Sequence, residues 1–209
     1  PSKVQPVKQT ETGDTSSISI TTPKEGAVLN DSGVDLKGEV KNINGTYTVE
    51  VSEGNGNLGG FETNGKSWQW DKQSDWSNGE HNVKVSIMGT KAQDTVKFTI
   101  DTKAPAIENI STTIQTTGWE VTGKIDDPSG TLSLVSGEYI QSIEVDKEGE
   151  FKFVLFHEKV SDQVVLVTTD KLGNTLQTDI TQYFEEETTG VLSVFNNFID
   201  EVTKKDTLN

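Results

Sequence analysis

The sequence predicts an all-β fold of two antiparallel β-sandwiches in tandem, followed by one amphipathic helix. Three observations predict it. Apolar residues alternate with polar ones in short runs separated by turn residues, and the second half of the chain repeats the first at an offset of roughly 80–85 residues. Only the last stretch has a helical period.

The elements follow in order. Residues 1–17, PSKVQPVKQTETGDTSS, are polar, contain proline and lack an apolar period, so they read as a linker. Folded structure is expected from Ile18. Period-2 runs then come at Ile18 and Ile20, at Val34, Leu36 and Val40, at Tyr47, Val49 and Val51, and at Trp68 and Trp70. Val83, Val85 and Ile87 form the next, and Val96, Phe98 and Ile100 close the set. Asn44-Gly45, Asn64-Gly65 and Asn78-Gly79 supply turns between them.

The repeat is legible residue by residue. Val34-Asp-Leu-Lys-Gly-Glu-Val40 matches Trp119-Glu-Val-Thr-Gly-Lys-Ile125, with the glycine and the alternation in register. Trp68 and Trp70 match Phe151 and Phe153, Val83-Lys-Val85 matches Val165-Leu-Val167, and Phe98-Thr-Ile100 matches Thr178-Asp-Ile180. The joint is Asp101-Thr-Lys-Ala-Pro105, where Pro105 biases Ala104 towards an extended backbone and stiffens the connection. Residues 18–102 and 103–183 are therefore the two expected domains. Gly38 and Gly123 hold one register position, which predicts room for a neighbouring aromatic, Trp68 or Trp70 in the first copy and Phe151 or Phe153 in the second.

In the tail, residues 184–209, Val191, Val194, Phe195, Phe198, Ile199 and Val202 recur at helical spacing, with Lys204 and Lys205 in the last turn. A helix with that apolar stripe needs a dock, either the second domain or an association surface on a partner or a like chain.

The runs ITTPKEGAVLNDSGVDLKGEV, GKSWQWDKQSDWSNGEHNVKVSI and FTIDTKAP resemble the bacterial Ig-like domains strung in tandem along surface proteins of Gram-positive bacteria. In that family a TPxxG opening, an hxGxV strand, a GxW hairpin and a closing DTxAP recur in this order. The resemblance covers Ile18 to Pro105. Over residues 106–182 it thins to a DxxGN-like turn at Asp170-Lys-Leu-Gly173-Asn174. It implies Ig-like sandwiches, an extracellular or cell-surface setting, and adhesion, spacing or enzyme-accessory roles.

Composition narrows the function classes. The formal charge is −15, and all 18 basic side chains are Lys, so the chain repels a phosphate backbone and has no guanidinium for bidentate base contacts. Nucleic acid is excluded as a partner, and no apolar run is long enough for membrane insertion. The absence of cysteine removes thiol catalysis and zinc–cysteine sites. Pro1 in first place suggests a processed or excised piece.

The search for chemistry returns little. Gly54-Asn-Gly56-Asn-Leu-Gly59 fits G-x-G-x-x-G but leads into a hairpin, not a helix, so it reads as a loop. His81 and His157 are isolated, and read as surface or half-buried strand residues. Asp101, Asp126 and Asp127 offer oxygen ligands near the joint without a D-x-D-x-D-G loop, so no metal and no cofactor are expected. Lys37, Lys84 and Lys97 alternate with the apolar set and should face water, which disfavours an isopeptide staple. The tryptophans read as core, leaving Trp76 with Phe61 as the candidate sugar platform.

These readings converge on a non-catalytic structural or adhesive stalk segment of an exported bacterial surface protein, with a protein or glycan partner at the cell surface and possible self-association through the C-terminal helix. The alternative is a glycan-binding or enzyme-accessory module.

Overall fold

The run Leu36–Lys41 shows how alternation becomes structure: Leu36, Gly38 and Val40 turn inward, and Lys37, Glu39 and Lys41 face water. The computed structural model describes residues 15–184, which divide into two units between Thr102 and Lys103. The expected C-terminal helix with its stripe Val191, Val194, Phe195, Phe198, Ile199 and Val202 lies outside the described residues, as does most of the expected linker. Among the described residues no helix is long and apolar enough to cross a membrane.

Among its described residues unit 1 has eight strands: β1 (Ser17–Thr22), β2 (Ala27–Leu29), β3 (Leu36–Lys41), β4 (Tyr47–Glu53), β5 (Gly56–Thr63), β6 (Ser67–Trp70), β7 (Gly79–Ile87) and β8 (Gln93–Ile100). They form two sheets, ordered β1-β3-β6 and β2-β8-β7-β4-β5. Only the β2–β8 pair is parallel. The core between the sheets gathers Leu36, Val49, Val51, Val83, Val85 and Phe98 at 0–1% exposure, with Trp68, Trp70 and Trp76 around them.

The described residues of unit 2 form seven: β9 (Ile107–Ile114), β10 (Gly118–Ile125), β11 (Thr131–Ser136), β12 (Tyr139–Ile143), β13 (Glu150–Phe156), β14 (Val164–Thr169) and β15 (Thr175–Asp179). Its sheets are β9-β10-β13 and β12-β11-β14-β15, antiparallel throughout. Val121, Ile125, Leu134, Leu155, Leu166 and Ile180 fill its core. Phe184, expected to open the C-terminal segment, instead ends a 3₁₀ turn, Thr181–Phe184, and is buried with its ring edge-on to Trp119 at 5.7 Å.

Two strands of unit 1 escape a search for alternation. β2 is three residues long, and β5 (GNLGGFET) carries too many glycines to show an apolar period. One match within the repeat is also one residue out. Val83 and Val85 are buried, but Val165 and Val167 are not; the residues turned inward on β14 are Val164 and Leu166. In Val164-Val-Leu-Val167 both parities are apolar, so the period cannot choose the buried face.

Gly38 and Gly123 occupy the same place in the two units. Gly38 pairs across β3 and β6 with Trp68, and Gly123 pairs across β10 and β13 with Phe151. A Cβ on Gly38 would lie 2.3 Å from Trp68 Cζ2 and 1.9 Å from the Ser19 carbonyl oxygen; on Gly123 it would lie 2.5 Å from Phe151 Cζ and 3.3 Å from the Glu108 oxygen. The aromatic of the facing strand thus lies across the glycine. The register of the third strand shifts at the same place, between Ile20 and Thr22 in unit 1 and between Thr122 and Lys124 in unit 2.

Because the clash at Gly38 includes backbone, whereas that at Gly123 falls mainly on a ring, Gly38→Ala should destabilise unit 1 more than Gly123→Ala destabilises unit 2. Gly38→Leu should cost at least about 1–3 kcal/mol by overpacking. Denaturant midpoints of the variants check both, and a Gly38→Leu variant with unchanged stability would contradict the close approach.

Candidate functional site

Trp76 sits in the loop between β6 and β7, where neither alternation nor helical period fixes its direction. The structure turns it inward. It is 3% exposed, donates from Nε1 to the Val34 carbonyl at 2.9 Å, and its backbone N–H donates to Ser32 at 2.8 Å. Its ring meets Phe98 and His81 edge-on at 5.1 and 4.9 Å, and the Lys72 ammonium caps it at 4.7 Å. Phe61 is half-buried and lies 6.0 Å from Trp68, not beside Trp76.

The expected sugar platform is therefore corrected. A ring that is 3% exposed, edge-on to Phe98 and His81 and capped by a lysine, offers no surface for stacking, and Phe61 packs on Trp68 instead. What Trp76 does is mechanical: it ties its loop to the segment entering β3 and closes one end of the unit 1 core. A buried indole N–H requires an acceptor, and the Val34 carbonyl supplies it.

His81, expected at the surface or half-buried, is 6% exposed. Its Nδ1 lies 2.9 Å from Glu53 Oε1 and its Nε2 2.8 Å from the Ser77 carbonyl, so both ring nitrogens are engaged inside the fold. His157 is exposed, with Nε2 against the Gln115 carbonyl at 3.1 Å. The G-x-G-x-x-G stretch is the β4–β5 hairpin, with Gly54 at φ 55° in its turn. Lys37, Lys84 and Lys97 are exposed.

The acidic loop residues act on the backbone. Asp126 accepts from the Ala106 N–H at 2.7 Å and Asp127 from Ser129 at 2.9 Å. Asp146 accepts from Glu148 and Glu150, and Asp170 from Leu172 and Asn174. Asp179 accepts from both the hydroxyl and the backbone N–H of Thr181, at 2.6 and 2.9 Å. Those bonds, the hydroxyl first, hold the Asp179 carboxyl below the usual carboxylate range. Among the described residues no group of three or more His, Asp or Glu could hold a metal ion.

A hollow of about 690 Å³ lies on unit 2 beside Gly123 and Phe151, under Lys124, Lys152, Glu144 and Glu150. Its charges are of both signs. Lys152 bonds Glu120 at 2.8 Å and lowers that carboxyl, so part of the local charge is already paired. The arrangement of polar groups serves turns and strand ends.

Residues 17–85 match the family model described as bacterial Ig domain. Among solved structures the chain is similar to a three-Ig titin variant at 8% identity and a TM-score of 0.49, over 78% of this chain and 63% of that one. A second titin segment is 10% identical at a TM-score of 0.45, over 78% and 65%. Bovine butyrophilin is 11% identical at 0.37, over 80% and 98%. No curated protein matches the chain.

Two outcomes follow from these contacts. Trp76→Ala should destabilise unit 1 by about 3–5 kcal/mol, read from its denaturation midpoint. For Asp179 the folded pKa lies below the unfolded one. Its contribution is complete above the ordinary carboxylate value of about 4 and is lost as pH falls through the lower folded value. The melting temperature of unit 2 should therefore drop in that acid window, and Asp179→Asn should make the drop shallower; an identical acid profile would contradict the assignment.

Proposed function

We propose that this chain, whose residues 17–85 match the bacterial Ig domain family, is a non-catalytic structural or adhesive segment of an exported bacterial surface protein, serving outside the cell as a stalk that positions other parts of it. The observation that carries the proposal is that each unit closes a complete core of its own, while six residues, 101–106, join β8 to β9. Two closed sandwiches on one short connection fit a chain that must span distance and resist unfolding. A charge of −15 and the absence of cysteine suit an exported protein that stays soluble and does not depend on oxidative folding. A glycan-gripping role loses its candidate platform with the burial of Trp76.

The load path supports the same reading. Force along a stalk pulls the entering strands of unit 1 against its exit strand β8. β2 is parallel to β8, in register from Ala27 opposite Phe98 to Leu29 opposite Ile100. Gly26 N–H donates to Lys97, Asp101 N–H to Leu29, and Lys97 N–H to the Glu25 carboxylate. Strands that are parallel and pulled from opposite ends slide along each other, so these bonds share the load and break together. Among the described residues of unit 2, β9 pairs only with β10 and β15 only with β14. A side-chain bond, Thr112 hydroxyl to the Tyr183 carbonyl at 2.9 Å, links its entry strand to its exit.

Single-molecule pulling on the chain should show two unfolding events, each releasing about 250–300 Å of contour length. The event of unit 1 should require the higher force, and Leu29→Pro, which leaves the Leu29 carbonyl but kinks β2, should lower it towards that of unit 2. One merged event, or a weaker unit 1, would count against a load-bearing stalk.

A further inference from the structure

The parity of β14 leaves a face with little charge. With Val164 and Leu166 inward, the outer surface of the β12-β11-β14-β15 sheet carries a row of Ile140, Val135, Val165 and Asp179. The next row is Ser142, Ser133, Val167 and Gln177, and the third is threonine throughout: Thr131, Thr169 and Thr175. Asp179 is the one ionisable group in these rows, and its carboxylate is bound by Thr181. The equivalent face of unit 1 bears Glu50, Lys84, Lys97 and Glu80. Side chains on a solvated face of a chain with 24% charged residues are expected to look like unit 1.

The shape of this face adds a second observation. Ile140 is 70% exposed, the most exposed of the large apolar residues described. In the same row lies a hollow of about 350 Å³, lined by Val135, Val165, Gly137 and the Ser161–Gln163 loop. A knob and a hollow lie side by side on neighbouring strands, about 4.8 Å apart per strand. A two-fold axis near Val135 would seat each copy's Ile140 in the other's hollow, because an isologous contact uses each surface twice.

We infer that this face of unit 2 is a self-association surface, whose occupant is the same face of a second copy of this chain. Charge selects the occupant. Two chains of −15 repel over most of their surfaces, and the approach with least repulsion is between the faces that carry least charge, here Asp179 at the end of one row and Asp162 at the rim of the hollow. Area sets the strength: four strands by three rows cover about 400 Å² per copy, half of the roughly 800 Å² typical of stable complexes. The contact is therefore weak for one pair and strengthens when many copies are held on one surface. It needs neither the load-bearing role nor the C-terminal segment.

Sedimentation equilibrium of the full 209-residue chain into the millimolar range tests the inference. A monomer–dimer equilibrium should appear and should tighten as salt is raised, since screening removes repulsion without touching the apolar contact. Ile140→Lys should weaken it at least tenfold while the melting temperature of unit 2 stays unchanged, as Ile140 is outside the core. Thr95→Lys, on the equivalent face of unit 1, should leave it intact. The chain has no cysteine, so Val135→Cys alone should form a disulfide dimer faster than Thr95→Cys. A chain monomeric at millimolar concentration in high salt would overturn the inference. So would a dimer unaffected by Ile140→Lys, and one lost only on removal of residues 185–209 would move the contact to that segment.

Discussion

A ring laid across a glycine sets the geometry of both units. Where Trp68 crosses Gly38 and Phe151 crosses Gly123, the facing strand approaches so closely that the missing Cβ is filled by aromatic carbon. The rest depends on this approach. The large ring enters the core without forcing the sheets apart, the third strand shifts register at the same level, and the alternation on either side of the glycine is held in phase. The second copy keeps the device with phenylalanine in place of tryptophan. The requirement is thus volume above a glycine, not a particular ring.

That use of aromatics has a consequence for function. All four tryptophans are buried, and the one in a loop, Trp76, closes an end of the core through Val34 and Phe98. Rings spent on packing are not available for ligands. Carboxylates likewise hold turns and strand ends, as at Asp126, Asp146 and Asp170. Among the described residues these tryptophans and aspartates carry the scaffold.

The outer faces of the sheets differ between the units although the strand order is alike. Unit 1 adds β2 alongside β8 and exposes charge, whereas among the described residues of unit 2 no strand pairs beyond β15, and the sheet exposes valine, threonine and Ile140. A repeated fold has therefore diverged where the fold leaves freedom, in the edge strand and the solvent face, and not in the glycine and ring that build the core.

The sequence by itself determined the all-β class, the inward sets of most strands, and the glycine under an aromatic, because each rests on a local period of two or on a repeat that keeps register. It could not find β2 or β5, whose three residues and glycines carry no period. Nor could it settle β14, where Val164-Val-Leu-Val167 is apolar on both parities. Only the tertiary structure decided these: pairing to β8 and β4 makes strands of β2 and β5, and pairing of Leu134 opposite Leu166 fixes which valines reach water. The direction of Trp76 was likewise decided by a partner 42 residues away in the chain, the Val34 carbonyl, since a loop side chain has no period to orient it and points where its ring can be buried and its N–H satisfied.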